Sequence, residues 1–346
     1  MSGVLQRRLL TTQSGRQPEP RELMRTYLGS RMRTILIAAL FSVWAPLLAQ
    51  TNAQRSYEGP IIDMHLHARS VLLRTAEGVP LRRGCSPQPC DSVPAQVQED
   101  GDYLRHTLAA MERNNIVLGF LSSAESLGET YRWQKAAPGR FIASPFVRDP
   151  DLIDIGELRK EYQSGRLGGM GELAIQYAGI AADDPRMTPF YALAEEFDVP
   201  VLIHHHGTAG SSKDFRISLG HPELLEQILV ERPNLDIFIE TSGFPYLEET
   251  IALMYRYPNV YGDLSLGKYP PRMADKYLRD LVDAGLGKRI MFASDQGLWP
   301  ERIDETIDMV DSAEYLSDDQ KQDIFYNNAA RFLRLSEDEI AKHHRR

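Results

Sequence analysis

Eight times along this chain an apolar run of strand character precedes an amphipathic stretch of helical period, and that alternation constrains the fold most strongly. The apolar runs lie at 60–67, 116–122, 140–147, 168–175, 199–205, 235–240, 260–264 and 289–294. The helices predicted between and after them lie at about 102–113, 125–137, 151–164, 187–197, 221–231, 245–257, 272–285 and 301–312, and two short helices finish the chain. Strands that alternate with helices are parallel, because each helix returns the chain to the same end of the sheet. Eight such units predict an α/β fold of the (β/α)8 TIM-barrel type, whose usual length is about 250 residues before insertions. The rival is a doubly wound open sheet, which requires a glycine-rich phosphate turn after an early strand. No such turn is present.

The segment before the first strand has a different character. Residues 34–48 read TILIAALFSVWAPLL, without a charge, and Arg31 and Arg33 stand just before them. A basic flank, a short apolar run and then small residues form the pattern of a secretory signal, and the run is short for a membrane span. The expected organisation is an N-terminal extension and signal peptide over 1–53, with Met24 or Met32 as candidate starts, and one barrel domain over 54–346. The rival reading is an uncleaved anchor. Export to the periplasm or beyond follows from the signal, with no stable membrane span after cleavage. The two cysteines, Cys85 and Cys90, fall in a long loop at 69–100. An even pair in an exported chain reads as a disulfide. Neither a further cysteine pair nor a nearby histidine completes a metal set around them. The net charge of −9 and pI of about 5.6 argue against phosphate-backbone binding, which needs a basic face. Homo-oligomer formation is left open.

Function in such a barrel sits at the C-terminal ends of the strands. The first strand ends in Asp63-Met64-His65-Leu66-His67. Side chains alternate along a strand, so His65 and His67 share a face and make a chelating pair. The fourth strand carries Glu172, a carboxylate that is costly to bury without a cation. The fifth ends in His204-His205-His206, with His204 and His206 on one face and His205 on the other. The sixth ends at Glu240, and the eighth delivers Asp295 from the apolar run Ile290-Met291-Phe292. Any one of these could be an ordinary core or loop residue. Together they converge only in a barrel mouth.

With these residues in view, the chain resembles a known family. IIDMHLHA resembles the first-strand signature of the amidohydrolase superfamily. GELAIQYAGI, DDPRMTPFYALAEEFDVPVLIH, PNLDIFIETSGFPYLEE, RIMFASD and YNNAARFLRL resemble its amidohydrolase-related branch of metal-dependent hydrolases and non-oxidative decarboxylases. The resemblance implies that His65, His67 and His204 bind metal and that Asp295 touches the metal and activates water. It also implies that Glu172 sits where some members use a carboxylate that can bridge two ions. One departure stands out. Many relatives end the sixth strand with a histidine, and here it reads Ile239-Glu240-Thr241-Ser242-Gly243. A full second metal site is therefore in question: Glu240 could supply an oxygen ligand, bind substrate or be a buried acid paired with a cation, and His206 is a candidate to lie behind the ligands or bind substrate.

The leading expectation is hydrolysis of a small-molecule ester, lactone or amide. One or two divalent ions, zinc above all, would polarise the carbonyl and acidify water, and Asp295 would take the proton. One alternative is a mononuclear-metal decarboxylase. Another is a non-catalytic metal-binding barrel, against which the proton acceptor Asp295 argues.

Overall fold

Short, fully buried apolar runs make the strands. The computed structural model describes residues 55–345 apart from 75, 77, 80–95 and 207–211. The expected leader and the Cys85–Cys90 pair lie outside the described residues. Every residue is buried in β1 (Ile61–His67) and β2 (Ile116–Ser122), as parallel strands covered on both faces require. They form one parallel ladder with β3 (Phe141–Ala143). A second parallel ladder runs in chain order through β4 (Met170–Leu173), β5 (Val201–Ile203), β6 (Ile237–Ile239), β7 (Val260–Asp263) and β8 (Ile290–Met291).

Individual backbone bonds stitch the two ladders at both seams. Between β3 and β4, Gly168 N donates to Ala143 O at 3.0 Å and Val147 N to Glu172 O at 2.9 Å. Between β8 and β1, Met64 N donates to Phe292 O at 2.9 Å and Asp295 N to His65 O at 3.0 Å. The strands thus close into the expected (β/α)8 barrel.

The helices that follow the strands lie outside: α1 (Asp102–Arg113), α2 (Leu127–Ala136), α3 (Ile155–Gln163), α4 (Thr188–Glu196), α5 (Glu226–Glu231), α6 (Leu247–Arg256), α7 (Pro271–Asp283) and α8 (Arg302–Asp311). Their sequences explain them. In α7, Ala274, Tyr277, Leu278 and Leu281 form one buried stripe at the three- and four-residue spacing of a helix face. At the start of α2 the Ser126 side chain accepts from Glu129 N, satisfying an otherwise orphaned donor. The predicted helix 221–231 is α-helical only from Glu226, because Pro222 opens a 3-10 turn over Pro222–Leu225.

The lumen is filled by Ile62, Met64, Phe120, Leu202, Phe238 and Met291. The C-terminal segment closes its N-terminal end. Here α9 (Asp318–Gln322) runs through a π-turn at Asp323–Asn327 into α10 (Asn328–Phe332), and α11 (Glu337–His343) follows. Phe332 meets Phe238 at 5.4 Å and Tyr261 at 4.6 Å between ring centroids. No helix among the described residues is long and apolar enough to cross a membrane.

Candidate metal centre

The histidine pair of β1 reaches the mouth through a break in alternation. Ile62 and Met64 point into the lumen, yet Leu66 packs in the outer core between strands and helices. The register shift between Asp63 and Leu66 produces this change of face. Buried Asp63 holds the shift. Its carboxylate accepts from His65 N at 3.1 Å, Ser294 N at 3.0 Å and Ser294 Oγ at 2.6 Å. Burial pushes its carboxyl up to about 7 against those hydrogen bonds. Strand β4 uses the same device. Met170 and Leu173 both face the outer core, and the shifted pair between them presents Glu172 to the mouth. Gly171 makes that possible. Its φ is +108°, and a Cβ there would stand 2.1 Å from Leu202 O.

Side chains from five strand ends now meet. His65 Nε2 lies 3.3 Å and His67 Nε2 3.4 Å from Glu172 Oε2. His67 Nε2 is also 3.1 Å from Asp295 Oδ1. The other Glu172 oxygen is 3.1 Å from His204 Nδ1. His204 also contacts Glu240, which reaches His206 Nε2 at 3.2 Å. Three groups have ligand atoms close enough to share an ion: His65, His67 and Asp295; His204, His206 and Glu240; and His65, Glu172 and Glu240. The seven residues singled out in the sequence therefore form one cluster in two halves, with Glu172 offering one oxygen to each. His204 groups with His206 and Glu240 rather than with the β1 pair. His205 points away, its Nε2 2.7 Å from His221 O, and burial lowers it to about 4.

Lys268, in the loop after β7, sits between the halves. Its Nζ donates to Glu240 Oε1 at 2.9 Å and to Asp295 Oδ2 at 3.1 Å. Burial alone would raise the Asp295 carboxyl. The Lys268 ammonium, His65 and His67 outweigh it and hold Asp295 well below the usual carboxylate range. Burial likewise opposes charge on His65 and His204. Asp295 with Asp263 and Glu172 raises the first well above its ordinary value, and Glu240 with Glu172 raises the second to about 9. The cluster thus draws in positive charge.

The donors fit a divalent ion. Ligands each about 2.0–2.2 Å from one ion stand about 3.0–3.5 Å apart, and the contacts at 3.1, 3.3 and 3.4 Å among His65, His67, Glu172 and Asp295 have that spacing. His65 Nδ1 lies 3.1 Å from Asp263 Oδ2. With Nδ1–H donating to that carboxylate, the tautomer that keeps a lone pair on Nε2 for metal is favoured. His204 Nε2 is buried without a hydrogen-bond partner, as a nitrogen reserved for an ion or substrate would be. Aromatic rings line this side of the mouth. Tyr177 lies 4.6 Å and Phe215 6.5 Å from His204, and Phe146 6.3 Å from His67.

Sequence reasoning missed Asp63, Asp263, Lys268 and these rings. Asp263 carried a legible signal, since it ends an apolar strand as Asp295 does. Lys268, Phe146 and Phe215 lie in loops that follow no period, and Tyr177 lies in a single short 3-10 turn over Ile175–Ala178.

Fold and site together define a parallel β/α barrel with a histidine–carboxylate cluster at its C-terminal mouth. The chain belongs to the amidohydrolase family, whose model matches residues 62–335. It is a family of enzymes that act on small molecules and are usually metal-dependent. A 157-residue stretch is 24% identical to Protein fluG of Emericella nidulans, covering 40% of this chain but only 18% of that protein. Two solved structures share the fold. One is a probable 2-pyrone-4,6-dicarboxylic acid hydrolase from Acinetobacter baumannii, with TM-score 0.53 and 12% identity over 80% of this chain and 99% of that one. The other is a 2,6-dihydroxybenzoate decarboxylase from Rhizobium, with TM-score 0.51 and 16% identity over 80% and 99%.

Proposed function

We propose that this chain is an exported metal-dependent hydrolase of small esters, lactones or amides. The observation that carries this reading is the setting of Asp295. One oxygen faces the Lys268 ammonium and the other faces His67. A carboxylate so held rests ionised, so it takes a proton before it can give one. Hydrolysis needs such a base, whereas decarboxylation needs an acid to protonate carbon.

His65, His67, Glu172 and Asp295 would hold the ion, with His204 across Glu172. Zinc suits imidazole and carboxylate donors. When bound, such an ion acidifies water and polarises a carbonyl oxygen. Asp295 takes the proton of the attacking water and returns it to the leaving group. Asp263 fixes the His65 ring, and Lys268 keeps Asp295 ionised. Phe146, Tyr177 and Phe215 offer flat apolar surface to a planar acyl group or lactone ring. The export reading draws on Arg31, Arg33 and the apolar run at 34–48.

A second reading is decarboxylation of a carboxylated ring. The same aromatic wall favours it, with Lys268 and Arg148, whose guanidinium lies 5.5 Å from the Tyr177 centroid, as candidate carboxylate partners. A zinc-loaded preparation assayed on lactones, esters, amides and aromatic acids decides. Acid release from the first three supports the hydrolase, and carbon dioxide from the last alone overturns it.

A further inference from the structure

Lys268 occupies the place in the cluster where a second cation would act. Its loop is anchored by Leu264 and Leu266, both fully buried, and by Tyr269 N donating to Leu266 O at 2.9 Å. The anchoring turns the Lys268 side chain inward to 17% exposure. From there Nζ takes one oxygen from each half, Oε1 of Glu240 and Oδ2 of Asp295. No candidate ligand group holds both carboxylates: Asp295 groups with His65 and His67, and Glu240 with His204 and His206 and also with His65 and Glu172.

The ammonium also enters the charge balance of the cluster. Glu172, Glu240, Asp263 and Asp295 are four carboxylates packed around the histidines. Two divalent ions would neutralise them fully. One divalent ion and one ammonium leave a single negative charge, which a buried site tolerates far better than two. Two divalent ions and the ammonium together would leave a single positive charge in the same confined space, with Glu240 and Asp295 each shared between an ion and the ammonium.

We propose that the Lys268 ammonium stands in for a second metal ion, so that the mouth takes one divalent ion and Lys268 bars another from the His204–His206–Glu240 half. This rests on the metal reading of the site, and it adds what sets the metal count. It also gives the departure at the sixth strand a physical partner. Glu240 is the carboxylate to which the ammonium is tied.

Metal content of the full chain tests this without reference to activity. Protein stripped with a chelator is titrated with zinc, and bound zinc per chain is measured beside the circular dichroism spectrum. Wild type is expected to bind one ion. Lys268→Met, which keeps length but loses charge, is expected to bind two, and Lys268→Arg to stay at one. Lys268→Gln replaces the Met variant if that one does not fold. Two ions in wild type, or one in both folded neutral variants, overturns the proposal. No zinc in wild type overturns the metal reading and this proposal with it. One zinc in wild type and two in Lys268→Met, with no hydrolysis of any ester, lactone or amide, removes the hydrolase reading and leaves this proposal standing.

Discussion

Asp295 touches an ammonium through one oxygen and an imidazole through the other, and Asn keeps its shape without its capacity for a proton. Asp295→Asn is therefore expected to fold, to keep most of its metal, and to lose turnover by about 10²–10⁴, the usual scale for a general base. Melting temperature, zinc content and rate measured on one preparation check this. Near-normal turnover in folded protein removes the role. Gly171 is the second residue-level test. Alanine there meets Leu202 O at 2.1 Å with φ at +108°, a conformation that costs a non-glycine residue about 1–3 kcal/mol before the clash is counted. Gly171→Ala is expected to lose at least that much stability in urea and to bind zinc more weakly, because Glu172 loses its direction. Unchanged zinc affinity would separate the bulge from the site. The site itself was legible where polar residues end apolar strands, as with His65, His67, His204 and Asp295. What the sequence hid was the change of face between Met64 and His65. It depends on Asp63 reaching Ser294, 231 positions away, and no local pattern encodes that contact.

At the scale of elements, the strand–helix alternation predicted all eight units, and what it overestimated was strand length. The runs at 140–147, 199–205 and 289–294 leave the ladder at Ala143, Ile203 and Met291. Past those points the pairing continues only as individual backbone bonds, such as Val147 N to Glu172 O and Asp295 N to His65 O, and apolar composition cannot signal where that begins. One element contact predicts a response to acid. The segment entering β1 is tied to α8 and the residues at its end. Arg55 pairs with Asp304 and Asp308, and Asp311 accepts from Ser56 N at 2.8 Å, Ser56 Oγ at 2.6 Å and Tyr57 N at 2.9 Å. Burial would raise the Asp311 carboxyl, but these donors and Lys321 lower it below its ordinary value. A depressed folded value stabilises above the unfolded pKa of about 3.9. That contribution disappears as pH falls through the folded value. The stability gap between wild type and Asp311→Asn should therefore be full at pH 6 and shrink below pH 4. Urea titrations across that range measure it, and a constant gap contradicts the assignment.

At the scale of the whole molecule, the ion should act as a stabilising ligand. A ligand bound only by the folded state at about one hundred times its Kd adds about 2.7 kcal/mol. Chelation is expected to lower Tm by several degrees and zinc to restore it, and a Tm indifferent to both argues against an ion at the mouth. Intact-mass measurement of secreted or periplasmic protein addresses the leader and the cysteines. The expected chain begins near Gln50 or Gln54 with Cys85 and Cys90 oxidised, and two free thiols remove the disulfide. One feature of the fold reaches further. His67 and Asp295 meet across 228 positions, and the plug that closes the lumen comes from Tyr326, Ala329 and Phe332. No fragment made early in synthesis holds both sides of the ligand set. Zinc uptake during refolding therefore reports the meeting of the first strand with the eighth, and is expected to lag behind helix formation.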